Sequence, residues 1–177
     1  MGLAINLKTW ATLYWIIYLF SCFNSALNNG HLFNRKKLLY LYSIVKPEMY
    51  ILAKIFKQTV IVFLIGIIGF VTWMIFGVEF QNIGLFVPVV FLNSLIMASI
   101  LSLVSFISVK AEGNFALLAI LALPILIPDL LIVSKLSYLI LDGFSSEIYL
   151  KYIGSLALLS FISCALSIVL FPYIWRE

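Results

Sequence analysis

The chain has 177 residues, of which 64% are hydrophobic and 10% charged, and its mean hydropathy is +1.18. A soluble domain carries roughly a quarter charged residues, so a water-soluble fold is excluded. The net charge is +4, but the cations do not form a patch interleaved with polar residues, which excludes nucleic acid as a partner. They read instead as orientation signals for membrane insertion.

Crossing the hydrocarbon core takes about 20 helical residues. Five apolar runs meet that length, at about 10–27, 59–76, 85–109, 115–133 and 152–175. They must be helical, because an isolated strand leaves its backbone unsatisfied in lipid. The alternation that marks a membrane barrel is absent from them. The fold class is therefore all-α, a polytopic transmembrane bundle forming one domain over 1–177, since no hydrophilic stretch is long enough for a second.

The first run starts at Trp10 and is closed by Asn28-Asn29-Gly30. The N-terminus lacks a secretory signal's basic leader and small-residue cleavage site. Met1-Gly2 opens like a myristoylation signal, but Asn6 stands where Ser or Thr is needed.

A connecting loop at 28–56 follows, holding Arg35, Lys36, Lys37 and Lys46. Within it Leu38–Val45 is apolar but too short to span, which suits an interfacial helix. Pro47 fits the first turn of the next helix and Glu48 its positive end. From Pro47 to Phe76 a helix would measure about 45 Å, so its first turns should project beyond the hydrocarbon. Lys54, Lys57 and Gln58 are expected on one face of it.

Placing that loop in the cytoplasm gathers eight cations there, with Lys110 and Arg176 among them, against Lys8, Lys135 and Lys151 on the far side. The positive-inside rule then puts the C-terminus in the cytoplasm of a bacterial inner-membrane protein. Aromatic belts are expected at Trp10, Tyr14, Trp15, Trp73, Tyr149 and Tyr152 outside, and at Tyr40, Tyr42, Tyr50, Tyr173 and Trp175 inside. Five spans leave the N-terminus outside with almost nothing to translocate, and the expectation is that a first helix is missing from this sequence.

The third run carries Asn93, expected to hydrogen-bond across helices. Ser94, Ala98 and Ser102, then Ser105 and Ser108, form a small-residue stripe suited to close packing, with a pore lining as the alternative. Ser160, Ser163 and Ser167 repeat the pattern in the last run. The fourth run contains Pro124 and Pro128, each of which removes a helix hydrogen bond, so a kink or break is expected. Asp129 follows, about 21 Å along from Phe115, where an Asp costs about 3 kcal/mol. It would cap a restarted half-helix, or face a substrate or gate.

No catalytic grouping appears. His31 is the only histidine, and there is no Walker A, His-Glu-x-x-His or Gly-x-Ser-x-Gly pattern. Cys22 and Cys164 lie inside apolar runs and read as small packing residues. A non-catalytic membrane subunit without a metal or cofactor of its own is the expectation.

Several stretches together resemble the CcmB family, the membrane subunit of the haem exporter ABC complex of cytochrome c maturation. They are Thr9-Trp10 with Leu13-Tyr14-Trp15, then Arg35 through Leu39-Tyr40 to Pro47, then Ile51-Leu52-Ala53-Lys54-Ile55. Lys110-Ala111, Leu123-Pro124 with Ile127-Pro128, Leu141-Asp142-Gly143 and Phe171-Pro172-Tyr173-Ile174-Trp175-Arg176 complete the set. The resemblance implies an ABC exporter permease of six spans, with ATP bound by a separate ATPase subunit, CcmA. It implies CcmC, CcmD and the haem chaperone CcmE as further partners, and haem as cargo. A coupling helix near Leu38–Val45 would dock the ATPase, with Arg35, Lys36, Lys37, Leu39, Tyr40, Pro47 and Glu48 as the coupling residues. The family's first span is absent here, and Asp129 stands where the family suggests an aliphatic residue. A permease exporting lipid, polysaccharide or drug would share the architecture.

Overall fold

The computed structural model describes residues 7–30, 46–75, 83–110, 115–141 and 146–176. They form five helices: α1 (Leu7–Gly30), α2 (Pro47–Ile75), α3 (Ile83–Lys110), α4 (Phe115–Leu141) and α5 (Ser146–Arg176). Each is long and apolar enough to cross a membrane. The expected runs all fall within them to within a residue; α3 exceeds its run by one or two residues at each end, and the other four helices outlast theirs by three or more at one end or both. α2 opens on Pro47 with Glu48 in its first turn. The Tyr50 amide donates to the Lys46 carbonyl at 3.2 Å, the first bond of the helical ladder.

α3 is the axis of the bundle. It packs against all four other helices, and these pack on one another in the order α1, α2, α5, α4 and back to α1. Accordingly 67% of α3's span is buried, against 22–39% for the others. Close packing in lipid needs small side chains on the central helix, and Ser94, Ala98, Ser99, Ser102, Ser105 and Ser108 are all buried. Several of these hydroxyls satisfy themselves on their own helix, as Ser94 does on Phe91 (2.7 Å) and Ser99 on Ile96 (2.9 Å). On α5, Ser167 donates to the Ser99 carbonyl at 3.0 Å and ties the two helices together. The stripe is thus packing surface.

Two aromatic clusters mark opposite ends. At one, Trp15, Tyr14 and Phe86 meet Phe70 and Trp73, with the Phe70 and Phe86 rings stacked at 4.5 Å. The Trp15 indole N–H donates to Ser137 Oγ at 2.8 Å and brings α4 to the same level. At the other end Tyr50, Phe106, Phe171 and Trp175 form a second cluster. The helices therefore run alternately up and down. Tyr14, Trp15 and Trp73 share one end and Tyr50 and Trp175 the other, as expected, but not as interfacial belts. Tyr14, Trp15, Trp73 and Trp175 are instead buried inside the bundle, where ring–ring packing adds about 0.5–1.5 kcal/mol per pair.

α4 corrects the expected break. It is one continuous helix through both prolines. Pro124 and Pro128 face outward, while Ala122, Leu126, Asp129 and Val133 face the core. Interior prolines are tolerated in membrane helices where local adjustment or neighbouring groups re-satisfy the freed backbone. Asp129 accordingly lies mid-helix and caps nothing.

Candidate functional site

The expected coupling residues divide between described and undescribed parts of the chain. Arg35, Lys36, Lys37, Leu39 and Tyr40, with the Leu38–Val45 segment and His31, lie outside the described residues. Pro47 and Glu48 are described and form the start of α2, where Glu48 is exposed. They lie at the Trp175 end, beside a hollow of about 350 Å³ lined by Glu48, Ile168, Val169, Pro172 and Tyr173.

The expected polar face of α2 is split by the fold. Its core stripe runs Ile51, Ile55, Gln58 and Val62, at the i, i+4, i+7, i+11 spacing of one buried face. Gln58 Nε2 therefore turns inward and donates to Ser25 Oγ on α1 at 3.3 Å. Lys54 Nζ donates to Ser105 Oγ on α3 at 2.8 Å and lies 5.8 Å from the Phe106 ring centre. Lys57 alone of the three is exposed. Sequence reasoning missed this inward lysine; its signal is that Lys54 adjoins Ile51 and Ile55 on the helix.

A second polar zone lies at mid-membrane depth, where α1, α3 and α4 meet. The Trp15–Ser137 bond and the Phe86 ring fix one common level. Cys22 lies seven residues past Trp15, Asn93 seven past Phe86, and Asp129 eight before Ser137. At 1.5 Å per residue all three sit about 10–12 Å beyond that level. Tyr18 stands just above them, within electrostatic reach of both Cys22 and Asp129. Tyr18, Cys22, Asn93 and Asp129 are all buried.

Both amide atoms of Asn93 and both carboxyl oxygens of Asp129 have no hydrogen-bond partner among the described residues, while the Tyr18 hydroxyl and the Cys22 thiol interact with each other. For Asn93 this corrects the expected interhelical bond. The residue is fully buried at the centre of the bundle, but no described side chain reaches its amide.

The bundle's third feature is a groove of about 220 Å³ between α1 and α2 near the Trp15 end. It is lined mainly by Trp10, Tyr14, Tyr18, Gly69 and Trp73. It exists because α2 carries glycine where α1 comes closest. A Cβ on Gly66 would lie 2.5 Å from Val90 Cγ1 and 3.0 Å from Tyr18 Cε2, and one on Gly69 would lie 3.2 Å from Tyr14 Cε2. The Tyr14 hydroxyl donates to the Gly66 carbonyl at 2.8 Å.

Four apolar helices around a fifth, buried one, in alternating directions, define a multi-pass helical membrane bundle. No protein-family model matches the chain, and neither a curated protein nor a solved structure does.

Proposed function

We infer that this chain is the membrane permease subunit of an ABC-type haem exporter complex acting in c-type cytochrome biogenesis. The observation that carries the reading is the charge asymmetry of the bundle. Lys46, Lys54, Lys57, Lys110 and Arg176 belong to helix ends that meet at the Trp175 end, whereas Lys8, Lys135 and Lys151 belong to the other. The positive-inside rule favours a cytoplasmic Trp175 end in a bacterial inner membrane. α1 ends there, just before the basic stretch of the sequence, and α2 starts there. That is the face a cytosolic ATPase would engage.

The residue likeness to the CcmB family narrows the engine to CcmA and the assembly to CcmC, CcmD and CcmE. In this reading the chain hydrolyses nothing itself. ATP hydrolysis in the partner moves the bundle through the connector, and the complex releases haem-loaded chaperone.

Affinity purification of the complex in mild detergent tests the assignment, with recovery of an ABC ATPase as the expected result. Reversing Arg35, Lys36 and Lys37 to glutamate is expected to cut ATPase recovery at least tenfold. Unchanged recovery, with cysteine labelling proving the topology intact, refutes the docking role. Gene deletion separates haem export from lipid, polysaccharide or drug export. Loss of haem-stained c-type cytochromes is the expected outcome.

A further inference from the structure

The mid-membrane zone of Tyr18, Asn93 and Asp129 is not accounted for by a role in ATPase coupling. Asn93 on α3 and Asp129 on α4 bring four polar atoms without partners to one depth, three of them oxygens, and the Tyr18 hydroxyl on α1 stands just above them. A lone ionised carboxylate in this setting is strongly disfavoured. No lysine, arginine or histidine pairs with Asp129 among the described residues. The other titratable groups on the facing surface of α1 are Tyr14, Tyr18 and Cys22. From α3 the facing polar group is the neutral Asn93. On α5, Cys164 engages Ser99 rather than Asp129, and Tyr149, Lys151, Tyr152 and Tyr173 lie toward the ends of the helix.

Such a constellation has the chemistry of a cation site. Hard cations are bound by carboxylate, amide and hydroxyl oxygens, and an intramembrane acid facing the bundle interior is the usual mark of an ion or proton pathway. We propose that Asp129, with Asn93 and Tyr18, forms an intramembrane binding site for a small monovalent cation, H⁺ or Na⁺, that neutralises the carboxylate. As a proton site the step is Asp129 carboxylate plus H⁺ giving the carboxylic acid. As a sodium site the carboxylate and the Asn93 and Tyr18 oxygens are the protein ligands. The site holds α1, α3 and α4 at one point, so its occupancy acts on how these three helices pack.

The test uses the full chain purified in detergent, with thermal unfolding followed by tryptophan fluorescence. One arm varies NaCl against choline chloride at fixed alkaline pH, and the other lowers pH with sodium absent. For a sodium site the wild-type midpoint rises with NaCl. For a proton site it rises as pH falls and ignores sodium. In either case Asp129→Asn, an uncharged isostere, loses the response. A wild-type response no larger than that of Asp129→Asn, in both arms, overturns the proposal. If Asp129→Asn does not fold, Asn93→Ala and Tyr18→Phe serve instead. Each is expected to shift the responding midpoint to at least threefold higher cation concentration, and an unshifted response in both overturns the site.

Discussion

Gly66→Ala is expected to destabilise the bundle by about 1–3 kcal/mol, the range for overpacking a filled interior. The new Cβ would meet Val90 Cγ1 at 2.5 Å and Tyr18 Cε2 at 3.0 Å. Neither neighbour yields easily. Val90 is β-branched, fully buried and fixed on the central helix, and Tyr18 is wedged between α1 and α2. Separating the helices also stretches the Tyr14 hydroxyl bond to the Gly66 carbonyl, now 2.8 Å. Gly84 and Gly154 are the internal controls, because a Cβ there meets nothing within 4 Å. Alanine at either site should leave stability unchanged or raise it, since alanine favours helix over glycine by up to about 1 kcal/mol. Denaturant or thermal unfolding in detergent measures all three. Equal stability of Gly66→Ala and Gly84→Ala would contradict the close approach of α1, α2 and α3.

Phe86→Ala should be more damaging still, by about 3–5 kcal/mol. Its ring is fully buried and touches Tyr14, Trp15, Phe70 and Trp73. In lipid the loss is not one of water exclusion, because the acyl chains are as apolar as the side chain. It comes from contacts that no other atom replaces once a rigid cavity is left. Phe161 provides the contrast. It is 74% exposed on α5, so in Phe161→Ala lipid fills the space and the change should stay within about 0.5 kcal/mol. Unfolding midpoints of the two variants decide the matter. Comparable losses would mean that Phe86 does not sit at the centre of the α1–α2–α3 junction.

The number and order of helices are legible in the sequence because lipid imposes one simple rule. A span must be long, apolar and internally hydrogen-bonded, and five runs satisfy it. Facing direction is a different problem. In a soluble helix the polar side marks the surface, but here both surface and core are apolar, so periodicity is weak. Trp15 and Trp73 consequently look like interface anchors, although both lie inside the bundle. The prolines of α4 mislead for a related reason. They face outward, opposite Leu126 and Asp129, and α4 continues through them. Lys54 could have been placed from its i+3 relation to Ile51, but its charge argues for the surface until Ser105 is seen beside it. The convergence of Tyr18, Asn93 and Asp129 was beyond sequence reasoning, because it requires the relative rotation of three helices. Asp129 itself stood out by its charge at depth.

Cysteine accessibility in intact cells tests the architecture most directly, on a background with Cys22 and Cys164 replaced by alanine. Lys57→Cys at the Trp175 end should react only with reagents that reach the cytoplasm. Lys151→Cys at the Trp15 end should react with impermeant reagents added outside. Phe161→Cys on the lipid face of α5 should resist both. Labelling of Lys57→Cys and Lys151→Cys from the same side of the membrane would contradict the alternating bundle.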